Sequence, residues 1–404
     1  MPSQSGASRV EAAQPGTPSL LRKLNDRAAL ELLLDGRTLT RSQLSELTGV
    51  SKVTVAQMLA RLEDRGLVAA VGEQAGGRGP NATLYSVVPA AAYVAALYME
   101  HGLVVTAVAD VTGRVIAEAR EDTNGAGDPV ELVRAAVDRA CRRAKVSVRR
   151  LSAFVIGSPG VVDPHTGDPQ WAFNLPEWHE GVLAGLRGAL RRPVVIENDV
   201  NLAAIAEHAA GAAAGADDFV LLWIGVGLGL ATVLGGRLHR GASGAAGEIG
   251  WLPMPGAPVT TDVRYPAGGG LQWLAGAEAI RALAAESGFD GRGAAESVRA
   301  AVDAVDGAEA GRAKEFLDEI ARRVGLGTAA VCTVLDPGLV VLGGEIGLAG
   351  GEALAGRVAA EVGRICPIRP RVVPTAVSSE PVLRGALLTA VNQARADLLA
   401  SVAG

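Results

Sequence analysis

The chain has 404 residues, of which 49% are apolar and 20% charged, enough for two or three packed domains and too apolar for long disorder. Its net charge of −5 excludes an overall basic coat for non-specific nucleic-acid binding. Its three cysteines, Cys141, Cys332 and Cys366, lie too far apart for a disulfide scaffold or a short-spaced cysteine zinc site. Residues 1–18 lack the apolar core of a signal peptide, and no run of about 18 apolar residues is free of charge or turn signals. A reducing, cytoplasmic setting without membrane contact is expected. Charge is uneven: residues 20–80 carry nine Arg and Lys against seven Asp and Glu, so a mildly basic module precedes an acidic body.

Residues 1–19 read as a disordered arm. From Leu20 the apolar spacing predicts a helix ended by Gly36. Thr40-Arg41-Ser42-Gln43 has the form of a capping box opening a short helix to Thr48, and Gly49 makes a turn. Ser51 caps a further helix to about Arg65, with Val55, Leu59 and Leu62 on its buried face. Leu67–Val71 and Thr83–Val87 read as strands flanking a Gly-rich tip. Residues 20–88 are therefore expected to form a winged helix-turn-helix DNA-binding domain.

After a short linker, strands and helices alternate, which argues for an α/β body over 93–404. Strands are expected at Val94–Leu97, Val104–Asp110, Arg114–Ala119, Leu151–Ile156, Pro193–Glu197, Val220–Ile224 and Leu339–Leu342. Helices are expected at Pro129–Ala144, Val200–Ala213, Ala277–Glu286, Ala310–Leu335, Glu352–Val362 and Pro381–Ala400. The stretch Phe289–Gly311 reads as a mobile surface segment.

In a helix-turn-helix module the second helix enters the major groove with its N-terminal residues against the base edges. Here these are Ser51, Lys52, Thr54 and Gln57, with Arg61 one turn on. Gln57 can pair with adenine, and Lys52 can reach guanine or a phosphate. Arg41 is placed for a backbone phosphate. Arg78, in Gly77-Arg78-Gly79-Pro80, has the slim setting that suits a minor groove. A three-helix interaction module with an ordinary solvated face is the bland alternative.

The body carries Gly157-Ser158-Pro159-Gly160, Glu197-Asn198-Asp199-Val200-Asn201 and Gly244-Ala245-Ala246-Gly247-Glu248-Ile249-Gly250. With the N-terminal module, these resemble the ROK family of repressors and sugar kinases over nearly all of residues 20–404, and the fused module resembles its repressor branch. The resemblance implies an actin-like, ribonuclease H-like pair of α/β lobes around a central cleft. The first lobe would take 93–197 plus the C-terminal helix 381–400, and the second 198–380.

The family's kinase parts are altered here. Its first phosphate loop, Asp-x-Gly-Gly-Thr, is replaced by Tyr98-Met99-Glu100-His101-Gly102, which sets a carboxylate where phosphates need neutralising. The second keeps its glycines as Gly225-Val226-Gly227-Leu228-Gly229 but loses its hydroxyl. Trp251 replaces the His that follows Gly-Glu-Ile-Gly, and Arg264-Tyr265-Pro266-Ala267 stands where the family has its zinc-binding cysteines. No catalytic residue, metal ligand or cofactor is expected. By resemblance Asn174, Asn198, Asp199 and Glu248 match sugar-contacting positions, although Asn198 and Asp199 also read as a strand-end turn with local capping bonds. Trp251 and Gln272 replace a His and a Glu of the pocket. Trp251 either stacks on a sugar face or closes the pocket.

These residues imply a transcriptional regulator, a repressor of carbohydrate-related genes. Its partners would be a double-stranded DNA operator, a sugar or sugar-derivative effector, and copies of itself as a homodimer or homotetramer. Two rivals remain: a ligand-independent regulator that uses the body as a scaffold, and an active ATP-dependent sugar kinase.

Overall fold

The computed structural model describes residues 18–75, 81–100, 102–122, 128–170, 181–263 and 268–403. They fall into two compact units. The first gathers the chain to Ala92 with Asp110–Arg114 and the residues from Gln393 onward; the second takes Tyr93–Ala109 and Val115–Asn392.

The first unit opens with helix α1 (Pro18–Leu34), strand β1 (Leu39–Thr40), α2 (Arg41–Thr48) and α3 (Lys52–Asp64), followed by β2 (Val68–Gln74) and β3 (Ala82–Val87). The capping box forms: the Gln43 backbone N–H donates to Thr40 Oγ1 at 3.3 Å, and the Thr40 N–H donates to Gln43 Oε1 at 2.8 Å. Gly49 ends α2 with φ 71°, a conformation that favours glycine. Leu30, Leu33, Leu44, Met58 and Leu62 are wholly buried and make the core of the three helices. The sheet order is β1-β3-β2 with both pairings antiparallel, the wing expected from the sequence. β2 runs three residues beyond the expected Val71, and its register shifts between Ala70 and Gly72.

The turn at Asp110–Arg114 and the end of the last helix, α12 (Pro381–Ala403), complete this unit. Arg395 donates from Nε to the Val111 carbonyl at 3.0 Å and from Nη2 to the Thr112 carbonyl at 3.2 Å. Arg65 Nη2 donates to the Ser401 carbonyl at 3.0 Å. The final turns of α12 thus depart from the expectation that 381–400 belongs wholly to the first lobe of the body.

The second unit repeats one topology. Its first half contains β4 (Tyr93–Glu100), β5 (Leu103–Asp110), β6 (Val115–Asp122), α4 (Pro129–Ala144), β7 (Leu151–Ser158), β8 (Val161–Val162), β9 (Pro169–Gln170), α5 (Val182–Leu190) and β10 (Val194–Asn198). The sheet order is β10-β7-β4-β5-β6, with β4, β7 and β10 parallel and β6 antiparallel to β5. After α6 (Asp199–Ala210), the second half contains β11 (Phe219–Ile224), β12 (Leu228–Leu234), β13 (Arg237–His239), α7 (Gly270–Ala275), α8 (Ala277–Ser287), α9 (Ala294–Ala304), α10 (Ala310–Leu335), β14 (Leu339–Gly343), α11 (Gly344–Ile365) and β15 (Arg371–Pro374). Its sheet, β13-β12-β11-β14-β15, repeats the order from the opposite side, again with one antiparallel hairpin flank and one parallel flank. This duplicated mixed sheet is the actin-like, ribonuclease H-like body.

One expectation is corrected. Phe289–Gly311 is not a mobile segment: α9 buries Ala294, Ser297, Val298 and Ala301, an i, i+3, i+4, i+7 stripe. Phe289 stacks on Phe316 of α10 with ring centres 5.6 Å apart. Alanines make that stripe weak in hydropathy although it packs fully. The helix expected at Glu352–Val362 forms as the second half of α11, after a kink at Gly351 where φ is 50° and ψ −148°; the half before the kink has no counterpart among the expected elements. Among the described residues no helix is long and apolar enough to cross a membrane.

Candidate functional site

The outward face of α3 is built by local capping. Ser51 Oγ accepts the Thr54 N–H at 3.2 Å and lies 2.9 Å from Thr54 Oγ1, so both hydroxyls are engaged in holding the helix start. Val55, Met58, Leu59 and Leu62 are buried, which turns Lys52 and Gln57 to solvent. Arg41 is exposed and pre-positioned on the wing: its Nε and Nη2 donate to Tyr85 Oη at 3.0 and 2.5 Å. Arg61 departs from the expectation of a DNA contact. It donates from Nε and Nη2 to the two carboxylate oxygens of Asp26 on α1, at 2.8 and 2.5 Å. Asp26 is buried, so this guanidinium neutralises a charge inside the fold. Arg78 lies outside the described residues.

In the body, the corner between β10 and α6 is organised by Glu197, a buried carboxylate. Its Oε1 accepts from Asn201 Nδ2 at 2.9 Å and from the Asn198 N–H at 3.1 Å, and its Oε2 accepts from Arg240 Nε at 2.8 Å. Asn198 caps α6 by accepting the Asn201 N–H, and its amide donates to the Gly160 carbonyl, each at 3.0 Å. Asn198 therefore serves the turn, the local-capping alternative read from the sequence. Sequence reasoning missed Arg240; its only signal is a charge lying just before the Gly244–Gly250 motif.

The structure brings Asp199 and Glu248 together electrostatically. Burial pushes the Asp199 carboxyl up to about 6. Burial, with the Asp199 charge as a second cause, pushes Glu248 up to about 7. Gly247 fixes the loop that carries Glu248: its φ is 100°, and a Cβ there would lie 1.8 Å from the Leu230 carbonyl oxygen. Carboxyls that titrate near neutrality can each act as donor or acceptor for a hydroxylated ligand. Trp251, half-buried, ends the one-turn helix that starts just after Glu248.

Gln272 departs from its expected role in the pocket. Its Oε1 accepts the Leu228 N–H at 2.8 Å, and its Nε2 donates to the Val226 carbonyl at 3.0 Å. Both ends of this amide brace the turn between β11 and β12. Asn174 lies outside the described residues.

That turn is the expected second phosphate loop, and here it closes a tight antiparallel hairpin, with the Gly225 N–H donating to the Gly227 carbonyl at 3.2 Å. A Cβ at Gly225 would meet Trp223 Nε1 at 3.0 Å and Glu345 Oε2 at 3.2 Å, so an indole and a carboxylate crowd the loop. Tyr98, Trp223 and Glu345 also line a cavity of about 240 Å³. Glu345 further lines a second cavity of about 480 Å³ with Val226, Glu278 and Arg281. An arginine also lines each cavity, Arg120 in the first and Arg281 in the second, so their walls are mixed in charge. The Glu100 side chain lies outside what is described. Among the described residues no three His, Cys, Asp or Glu side chains are disposed to hold a metal ion.

Comparison with known proteins gives matches along the chain. The profile described as ROK family matches residues 102–389, and the one described as MarR family matches residues 23–79. A xylose repressor of Caldicellulosiruptor bescii is 27% identical over 58% of this chain and 60% of that protein. The N-acetylglucosamine repressor of Escherichia coli O157:H7 is 24% identical over 83% of each chain. The solved ROK hexokinase of Thermus thermophilus is 30% identical over 74% of this chain and 97% of its own, with a TM-score of 0.59. A solved ROK family transcriptional regulator, a homologue of the E. coli MLC protein, shares the fold over 95% of this chain and 99% of its own, with a TM-score of 0.69 at 18% identity.

Proposed function

The chain belongs to the ROK family, and from that premise we propose that it is a cytoplasmic, sequence-specific DNA-binding repressor of carbohydrate-related genes. The observation that carries this reading is α3, whose cap is satisfied internally while Lys52 and Gln57 stand free on the outward face of a winged module. Repressors are matched across both units of the chain, which supports reading the units together. The body serves as a sensor without phosphoryl transfer. Asp199 and Glu248 supply the hydroxyl-binding groups, and the turn at Gly225–Leu228 offers no side-chain hydroxyl to a nucleotide. A homodimer would match a two-fold operator. The sugar shifts the equilibrium between two states by binding one better than the other.

The test is a gel mobility shift on the protein's own upstream DNA, titrated with sugars and sugar phosphates. A specific complex released or tightened by one sugar is expected. A complex indifferent to every sugar favours the ligand-independent scaffold, a reading that the commitment of Gln272 to the hairpin supports. A coupled ADP-release assay over common hexoses should stay at background, and sugar-dependent turnover would return the kinase reading.

A further inference from the structure

We propose that Val53 reads the 5-methyl group of a thymine and so makes α3 selective for a site containing A·T pairs; this rests on the reading that α3 enters the major groove. Val53 lies in the first turn of α3 and is 70% exposed. The fold gives it no task, since the helix packs through Val55, Met58, Leu59 and Leu62. A β-branched residue at an exposed helical position is also a poorer helix former than alanine or lysine. Val53 and Gln57 are four residues apart and share one face. Ala56 and Ala60 complete that stripe with side chains too short to hold the helix away from base edges. Farther on, exposed Glu63 and Asp64 repel phosphates, so the N-terminal half, which carries Lys52, is the part that can insert.

Gln57 can pair with adenine through N6 and N7, and a valine methyl fits the apolar bump of thymine in the same groove. Four residues of helix rise about 6 Å, roughly two base-pair steps. The read sequence should hold an adenine for Gln57 and, within about two base pairs, a thymine for Val53.

The full-length protein is first used to select duplexes from a randomised library. Each thymine of the selected site is then replaced by deoxyuridine, which removes only the methyl group. One such replacement in a single half-site should weaken binding by the wild-type protein about 4-fold, the worth of one buried methyl. The same replacement should cost Val53→Ser nothing, with the thermal midpoint of that exposed variant unchanged. Gln57→Ala should lose preference at the adenine yet keep the deoxyuridine effect. The proposal is overturned if no replacement weakens the wild-type protein, or if the loss persists in Val53→Ser. A library that yields no common sequence overturns the DNA-binding reading itself.

Discussion

Asp26 and Arg61 form a clamp between α1 and α3 in which the carboxylate is buried and the guanidinium about one-third exposed. Removing the arginine leaves a buried charge without its partner, so Arg61→Ala should cost about 1–3 kcal/mol, read as a lowered thermal midpoint. It should leave the salt dependence of DNA binding unchanged, whereas Lys52→Ala should lower that slope by about one. Asp199 and Glu248 set a second expectation. Their folded-state carboxyls titrate near 6 and 7, above the usual range near 4, so between those values the folded chain holds protons that the unfolded chain has lost. Their contribution is fully present below about pH 4 and is lost as pH rises towards 7. Denaturant unfolding should therefore show stability falling by roughly 3 kcal/mol for each carboxyl across that window, with Glu248→Gln removing about half of the fall. At this scale, Thr40 and Ser51 were legible in the sequence because a cap is satisfied within three residues. Arg61 and Gln272 were not, because their partners lie 35 and 44 residues away and only the folded chain brings them close.

Among elements, α6 and α12 approach closely. A Cβ at Gly385 would fall 1.8 Å from the Leu202 carbonyl oxygen, so these helices meet backbone to backbone. Gly385→Ala should destabilise the body by about 3 kcal/mol or more, because neither helix can yield without moving its own sheet connection. Nearby, buried Glu207 of α6 accepts the Ala212 N–H at 2.6 Å and the Val377 N–H at 2.8 Å, tying the segment before α12 to the same helix. Strands with branched apolar runs were readable to within a few residues, as at Leu339–Gly343. α9 and the first half of α11 were not, since small residues make up most of their buried faces and hydropathy registers little contrast there.

The whole molecule pairs a head drawn from three chain segments with a body whose two sheets share one order. The body's cysteines give a compact check on its core. Burial pushes the Cys141 and Cys332 thiols up to about 11, while Cys366 is half-buried. At pH 8 the native protein should react quickly with an aromatic disulfide reagent at Cys366 alone, and the other two thiols should respond only on unfolding. The motifs around Asp199 and Glu248 pointed to the body because they are short and contiguous; the repeated sheet order was hidden, since strand pairing is a long-range property. The tie between Arg395 and the turn at Val111–Thr112 has a consequence for synthesis. The helices and wing of the head leave the ribosome before the body, yet the head gains its last segment only after the whole body has been translated. A nascent chain would thus carry an unfinished head through most of its elongation, and a fragment cut at Ala92 would lack two of the three chain segments that make the unit compact.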